Sequence, residues 1–209
     1  MIIALCGYMG AGKSTVGKYL ADLLYAPFVD LDEYICKRAG KSIPEIFSES
    51  GENAFRFLEQ QCLQELICRY CGGCPGSSDS AVEVQMPSEM VSKGLEEEFE
   101  VLNNGHDAEL VTCVLSVGGG TPTNPACAQL LRTRTLCFYL KVSLESLQKR
   151  LWKNHSQRPL LAGKNKEELY DYVAAMMTQR EPAYLACSHQ VVHAENKSLA
   201  TIALEIANF

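Results

Sequence analysis

The segment MIIALCGYMGAGKST at the start of the sequence constrains the fold more than any other stretch. Residues 1–6 form an apolar run without a polar break, which predicts a strand buried on both faces. Val16, Leu20 and Leu24 then repeat at helical spacing, which predicts a helix. The glycine-rich residues 7–15 therefore join a buried strand directly to a helix.

This turn has the pattern G-x-x-x-x-G-K-S, formed by Gly7, Gly12, Lys13 and Ser14. Glycines let the backbone curl until its N–H groups point inward, and the helix N-terminus adds positive potential. In this pattern the lysine reaches the β- and γ-phosphates of a nucleotide, and the hydroxyl ligates magnesium. We therefore predict a phosphate-binding loop; the alternative is a glycine-rich turn that binds nothing.

Composition limits the remaining classes of function. The chain has 209 residues, of which 47% are hydrophobic, and this suits one domain with a sizeable core. Residues 72–109 hold nine of the 25 acids and one of the 19 lysines and arginines, so the acidity belongs to one segment. Because the sequence has no basic stripe and no apolar run near the roughly 18 residues of a membrane span, we expect neither a nucleic-acid partner nor membrane insertion. Ten cysteines without a secretory signal predict free thiols in the cytoplasm.

Strand patterns alternate with helical patterns along the chain, which predicts a parallel sheet covered by helices on both faces. Further strands are predicted at residues 26–32, 110–117, 135–142 and 190–194. Helices are predicted at residues 33–39, after Ser42, at 50–70, from Ser143, at 167–179 and around 199–206. We expect one domain, 1–209, with an acidic insertion at about 72–109 and a polar, irregular lid at about 153–166.

Asp30 and Asp32 stand two residues apart at the end of the second predicted strand. The carboxyl end of a parallel strand borders the same crevice as the phosphate loop. One carboxylate can hold a magnesium shell while the other accepts a proton from a hydroxyl nucleophile. Alternatively, the two aspartates simply end a strand.

Seven segments together resemble the shikimate kinase family: GYMGAGKST, VDLDEYI, KSIPEIF, SGENAFRFLE, SVGGG, QRPLL and QREPAY. They run in the family's order across nearly the whole chain, except residues 72–109. Only the first is a strong motif by itself, but the set is highly specific. The resemblance implies a three-layer α/β/α P-loop kinase fold with a central five-stranded parallel sheet, in the branch that resembles nucleoside-monophosphate kinases.

The resemblance also implies an activity. The family uses ATP and Mg²⁺ to phosphorylate the 3-hydroxyl of shikimate, a step of the shikimate pathway towards aromatic amino acids. We accordingly expect a cytoplasmic monomer whose partner is the small molecule shikimate.

Individual roles follow from the same resemblance. The nucleotide-binding residues would be Gly10, Ala11, Gly12, Lys13, Ser14, Thr15 and Arg158, with the metal at Ser14 and Asp30. The catalytic residues would be Asp32 as general base, Lys13, and Arg158 in the lid. The substrate-binding residues would be Asp32, Gly118, Gly119, Gly120, and Arg56 and Arg180, which grip the carboxylate.

The chain departs from the family pattern in three places. Cys36 stands where the family often has Glu. The adenine contacts are open, because Arg150 fits the family's arginine only if the lid has one extra residue, and the C-terminal candidate is Asn196-Lys197. The third departure is the acidic insertion, where the family usually has a short connection.

The insertion begins beside Cys68-x-x-Cys71-x-x-Cys74, a spacing similar to iron–sulfur and zinc patterns. A cluster normally needs four ligands, and the only plausible fourth is the distant Cys113. Cys68 also falls on the buried face of the predicted helix, where cysteine behaves as a small hydrophobe. We therefore interpret these cysteines as structural.

Two other functions stay open at this point. A kinase for another small hydroxy acid, such as gluconate, would need the same loop. A regulatory protein that has kept the fold but lost transfer would use the acidic insertion to bind a partner. Asn165-Lys166 begins like the guanine-binding Asn-Lys-x-Asp pattern, but Glu167-Glu168 follow, so that indication is weak.

Overall fold

The computed structural model of the protein describes residues 1–71, 110–153, 155, 161 and 163–209. Its core is a five-stranded sheet in the order β2-β3-β1-β4-β5, and every pairing is parallel. The strands are β1 (Ile2–Cys6), β2 (Phe28–Asp30), β3 (Cys113–Ser116), β4 (Leu136–Lys141) and β5 (Gln190–His193). The predicted five-stranded parallel sheet is therefore confirmed.

Helices cover both faces of this sheet. Those of the described residues are α1 (Lys13–Leu23), α2 (Leu31–Ala39), α3 (Ile43–Cys71), α4 (Pro125–Arg134), α5 (Leu144–Lys153), α6 (Lys166–Cys187) and α7 (Leu199–Ala207). Helices α1 and α7 pack together on one face, while α4 contacts both α3 and α6 on the other. This is the predicted three-layer α/β/α arrangement. None of these helices combines the length and the apolar character of a membrane span.

Burial on both faces explains the composition of the strands. All five residues of β1 are buried, as are the four of β3, so these strands read as continuous apolar runs. The parallel register between β1 and β4 sets Ala4 opposite Cys137 and Cys6 opposite Tyr139. Those side chains share one face because the side-chain period of a strand is two.

Several predicted boundaries are wrong. The second strand is limited to Phe28–Asp30, because Asp30 caps α2 by accepting a hydrogen bond from the Asp32 N–H at 3.1 Å. Asp32 therefore lies in the first turn of a helix rather than on the strand. The third strand begins at Cys113 rather than at residue 110. For the second strand, therefore, the cap formed by Asp30 and not apolar character sets the limit.

Two predicted helices are longer or differently joined. The helix capped by Ser42 and the helix predicted at 50–70 run together as α3, with a break at Gly51, whose φ is 79°. The helix predicted to end at residue 179 continues through Pro182 to Cys187. A proline removes one helical hydrogen bond. That loss is offset here by contacts of the last two turns, including Tyr184, which is buried.

The sequence interpretation left residues 121–134 unassigned, and they form a 3₁₀ turn (Thr121–Thr123) and α4. The sequence signals for the start of α4 were present. The Asn124 side chain accepts a hydrogen bond from the Ala126 N–H at 3.0 Å, and Pro125 occupies the first helical position. An Asn cap followed by proline is typical of a helix start.

The cysteines depart from expectation at one position. Cys68 is disulfide-bonded, so the prediction of free thiols is wrong there. Eight cysteines of the described residues are free thiols. Cys74, the acidic insertion and half of the lid, including Arg158, lie outside the described residues.

A close approach between α1 and β2 provides a test of the packing. Gly17 is buried, and a Cβ at this position would lie 2.5 Å from Cε2 of Phe28 and 3.3 Å from Cδ1 of Leu5. Gly17→Val should therefore destabilise the protein by about 1–3 kcal/mol, although valine has the higher helix propensity. Urea unfolding measures the change. The control is Asp22→Val on the exposed side of α1, which should change stability much less; equal effects would contradict this packing.

Candidate active site

The phosphate loop has the conformation that its glycines predict. Gly7, Gly10 and Gly12 all have positive φ, and a Cβ at Gly7 would lie 2.8 Å from the Leu140 carbonyl oxygen. Helix α1 begins at Lys13, directly after Gly12, which has no side chain to cap it. The first helical N–H groups therefore remain suited to bind an anion. Lys13 Nζ donates to the carbonyls of Gly7 and Tyr8, at 2.9 and 3.1 Å.

The two predicted metal ligands are in direct contact. Ser14 Oγ donates to Asp30 Oδ2 at 2.7 Å, while Asp30 Oδ1 caps α2. One aspartate thus joins the start of α1 to the end of β2. Two hard oxygen donors at one point, beside a phosphate loop, fit the ligand preference of Mg²⁺.

Asp32 faces the glycine segment Gly118–Gly120, which follows β3 and is called its glycine end. A Cβ at Gly118 would lie 2.8 Å from Asp32 Oδ1 and 3.0 Å from Thr121 Oγ1, so only glycine leaves room for the carboxylate. Burial, together with the negative charges of Asp30 and Glu59, raises the pKa of Asp32 from its ordinary 3.8 to about 6. Lys13 and Arg56 act in the opposite direction. Asp32 is therefore a partly desolvated carboxylate that ionises near neutral pH.

Arg56 is held by a buried acid that the sequence interpretation missed. Glu59 is 1% exposed, and it accepts hydrogen bonds from Arg56 Nη1 at 2.9 Å and from Thr121 Oγ1 at 2.6 Å. A Cβ at Gly120 would lie 2.8 Å from Arg56 Nη2. The guanidinium therefore lies against the glycine segment, and its hydrogen bond to Glu59 holds it there. The available signal was the three-residue spacing of Glu59 from Arg56 on one helix.

Arg180 reaches the same segment from α6. Its Nη1 donates to the Gly119 carbonyl at 3.4 Å, and Tyr184, one turn later, donates its hydroxyl to the same oxygen at 2.5 Å. Glu181 between them accepts from Tyr139 and Lys141, at 3.2 and 2.8 Å. The QREPAY segment thus fixes α6 to the sheet and to the glycine end of β3.

Tyr8 completes this side of the site. The Arg180 guanidinium lies over the Tyr8 ring, 5.8 Å from its centroid. Within the part of the chain that the structure describes, the Tyr8 hydroxyl is buried and has no hydrogen-bond partner. Tyr8 and Tyr184 were not predicted as site residues, because an aromatic residue reads as core in a single sequence.

A cleft of about 350 Å³ connects these parts. Its size suits a small ligand. It is lined by Met9, Gly10, Gly12, Lys13, Ser14, Thr15, Asp30, Asp32, Ser116, Val117, Gly118 and Gly119. Ala11, which is buried, and the half-buried Arg56, Gly120 and Arg180 lie around it. Met9, Ser116 and Val117 are further lining residues that the sequence interpretation did not name as site residues.

The remaining candidates have mixed outcomes. Asn165 forms a capping box with Glu168, through hydrogen bonds of 2.9 and 3.0 Å, so this segment starts a helix rather than binding guanine. Arg150 Nη1 donates to the Gly10 carbonyl at 3.3 Å, whereas Lys197 pairs with Glu205. Of the two open adenine candidates, Arg150 is thus the one in contact with the phosphate loop. Arg158 lies outside the described residues, so its role stays a prediction.

Comparison with known proteins decides the family. The family model described as Shikimate kinase matches residues 9–84 and 92–209. The chain belongs to the shikimate kinase family. A shikimate kinase of Dictyoglomus turgidum is 32% identical over 98% of this chain and 94% of its own length. One of Parabacteroides distasonis is 34% identical over 89% and 84%.

Solved structures agree with the family assignment. A shikimate kinase of Acinetobacter baumannii in complex with shikimate is 27% identical, with a TM-score of 0.73, over 99% of this chain and 90% of that one. The shikimate kinase of Bacteroides thetaiotaomicron is 28% identical, with a TM-score of 0.74, over 100% and 97%. The match to the family model leaves only residues 85–91 unmatched between its two ranges, so it extends into both ends of the segment 72–109 that the motifs had left outside the resemblance.

The raised pKa of Asp32 predicts a pH-dependent gain in stability from its removal. Above about pH 6 the folded protein must carry a buried carboxylate, whereas below about pH 4 the group is neutral in both folded and unfolded chains. Asp32→Asn should therefore raise the free energy of unfolding at pH 8, by on the order of 2 kcal/mol, and have little effect at pH 3.5.

Urea unfolding at the two pH values measures this difference. The control is Glu33→Gln, which removes an exposed acid from the same helical turn. A gain that is the same at both pH values would contradict the raised pKa, and so would a gain shared by Glu33→Gln.

Proposed function

We propose that this member of the shikimate kinase family transfers the γ-phosphate of ATP to the 3-hydroxyl of shikimate, giving shikimate 3-phosphate and ADP. The observation that carries the proposal is the convergence of Asp32, Arg56 and Arg180 on the glycine end of β3, beside the phosphate loop. An alcohol acceptor requires a carboxylate for its proton, and an anionic substrate requires guanidinium donors. Asp32 lines the cleft, and Arg56 and Arg180 lie against the glycine residues that border it.

The substrate carboxylate binds between Arg56 and Arg180. A guanidinium offers donors in a planar fork that matches a carboxylate, and Glu59 positions the Arg56 fork through one nitrogen. The backbone of Gly118, Gly119 and Gly120 supports the ring, because glycine lets a ligand approach the backbone closely. A rigid cyclic acid fits such a site better than a flexible chain such as gluconate.

Transfer begins when Asp32 accepts the proton of the 3-hydroxyl. The hydroxyl oxygen forms a bond to the γ-phosphorus while the bond from that phosphorus to the β–γ bridging oxygen breaks, and ADP leaves with the electron pair. Lys13, at the start of α1, and the N–H groups of Gly10, Ala11, Gly12, Ser14 and Thr15 bind the phosphates. Mg²⁺, held by Ser14 and Asp30, would neutralise phosphate charge when bound.

The wider setting is proposed on similar grounds. The protein is proposed to act as a monomer with a single domain. The eight free thiols among the described residues suit the cytoplasm, where ATP is available. The acidic segment at 72–109 is proposed as an insertion that the chemistry does not require.

Release of ADP separates the proposal from its rivals. With ATP and Mg²⁺, shikimate should accelerate ADP release strongly, and gluconate or nucleoside monophosphates should not. Acceleration by gluconate would indicate a different hydroxy-acid kinase. No acceleration by any acceptor would favour a regulatory nucleotide-binding protein.

Removal of the base should reduce turnover without preventing binding. Asp32→Asn keeps the shape and removes the basicity, so kcat should fall by about 10²- to 10⁴-fold. Calorimetry should still detect shikimate binding. Initial rates of the Glu33→Gln control should match the wild type. Normal turnover by Asp32→Asn would exclude Asp32 as the base.

The arginines should determine shikimate affinity rather than ATP affinity. Lysine cannot reproduce the guanidinium fork, so Arg56→Lys and Arg180→Lys should each weaken shikimate binding with ATP binding nearly unchanged. Calorimetry with each ligand measures this. Arg38→Lys, in an exposed ion pair with Glu65, is the matched control. Loss of ATP affinity with shikimate affinity retained would show that the arginines bind ATP and not shikimate.

Arg158 is proposed to contact the transferring phosphate when the lid closes. Because this contact strengthens as charge develops, Arg158→Ala should mainly lower kcat. Steady-state kinetics distinguish this from a change in the KM for shikimate alone, which would make Arg158 a ground-state binding residue.

A further inference from the structure

Three buried thiols meet on the face of the sheet opposite α1. Cys6 ends β1, Cys137 lies in β4, and Cys187 ends α6. Their sulfur atoms all lie within 4.8 Å of one another, and those of Cys6 and Cys187 are 3.8 Å apart. Each of the three residues is 0% exposed. The cluster joins three elements that are distant in sequence.

The register of the sheet explains how the cluster forms. Cys137 is opposite Ala4 and Cys6 is opposite Tyr139, so both cysteines face α6. Tyr184, one turn before Cys187, packs on Tyr139 with ring centroids 5.2 Å apart. This aromatic contact fixes the last turn of α6 so that Cys187 lies over the two strand thiols.

The geometry matches a three-coordinate metal site. Metal–sulfur bonds of about 2.3 Å in a trigonal plane place the sulfur atoms about 4 Å apart. Soft thiolates select d¹⁰ cations such as Cu⁺, Zn²⁺ and Cd²⁺.

We propose that Cys6, Cys137 and Cys187 form a binding site for one thiophilic d¹⁰ metal ion beneath the phosphate loop. The ion displaces thiol protons and ties together β1, β4 and α6. Cys6 directly precedes Gly7 of the phosphate loop, and α6 also carries Arg180 and Tyr184. The ion therefore stabilises the positions of the phosphate loop and of α6 relative to each other. Among the described residues the group contains three ligands, which favours Cu⁺ over Zn²⁺, since structural Zn²⁺ sites are four-coordinate.

The test first replaces the exposed and half-buried cysteines Cys36, Cys71 and the disulfide-bonded Cys68, together with Cys74, which lies outside the described residues. The other thiols outside the cluster, Cys62, Cys113 and Cys127, are buried. In a background of Cys36→Ser, Cys68→Ser, Cys71→Ser and Cys74→Ser, the folded protein is titrated with Cd²⁺, and sulfur-to-cadmium charge-transfer absorbance reports binding. We expect one ion per chain, release of protons, and a higher midpoint of thermal unfolding, because the ion binds the folded state. Parallel titrations with Zn²⁺ and with Cu⁺ under anaerobic conditions rank the metals.

Single substitutions in that background locate the ion. Cys187→Ala and Cys137→Ala should each weaken binding at least about tenfold. The matched control is Cys113→Ala, which removes a buried thiol of the neighbouring strand β3 and should leave binding unchanged. Circular dichroism verifies the fold of each variant. Binding that is unaffected by Cys187→Ala, or lost with Cys113→Ala, would overturn the proposal.

A measurement without substitutions in the cluster covers the case in which a variant does not fold. X-ray absorption of the metal-loaded background protein counts the ligands directly. Three sulfur ligands are expected. No stoichiometric metal, or a shell with fewer than three sulfur atoms, would also overturn the proposal.

Discussion

The buried carboxylate of Glu59 is the interaction on which the arrangement of the site depends. It accepts from Arg56 and from Thr121, and so joins α3 to the turn that follows β3. Breaking a buried charged contact of this kind leaves an uncompensated charge and typically costs about 3–5 kcal/mol. Arg56 is thereby fixed against Gly120, and Thr121 fixes the glycine segment against Asp32. The position of the proposed substrate anchor and that of the proposed base are set by the same acid.

The glycine segment lets the surrounding residues approach its backbone closely. A side chain at Gly118 would meet Asp32, one at Gly119 would lie 3.2 Å from the Met9 backbone nitrogen, and one at Gly120 would meet Arg56. Asp32, the phosphate loop at Met9 and Arg56 therefore approach one stretch of backbone without steric conflict. Asp32 is buried and lies near the negative charges of Asp30 and Glu59. Its carboxylate form is therefore less stable there than in water, as its raised pKa indicates. Such a cost is expected where a group serves chemistry rather than folding.

The sequence predicted the parts of the fold that depend on local pattern. Apolar runs gave all five strands, and the loop, Asp30 and the glycine segment follow directly from their ends. Two kinds of feature were not predictable in this way. Glu59 reads as a surface residue because its burial depends on Arg56 and Thr121, the second of which is 62 positions away. The trio of Cys6, Cys137 and Cys187 exists only through sheet register, which a single sequence does not specify. The helix α4 was predictable from Asn124 and Pro125 but was missed.

A crystal structure with shikimate and a non-hydrolysable ATP analogue tests the central claim most directly. The claim is that one cleft places an acceptor hydroxyl at Asp32 and a substrate carboxylate at Arg56 and Arg180. The predicted result is a shikimate 3-hydroxyl within about 2.6–3.2 Å of an Asp32 oxygen, with the carboxylate bonded to both guanidinium groups. A shikimate molecule whose carboxylate binds elsewhere, or whose 3-hydroxyl lies away from Asp32 while the nucleotide occupies the loop, would contradict it.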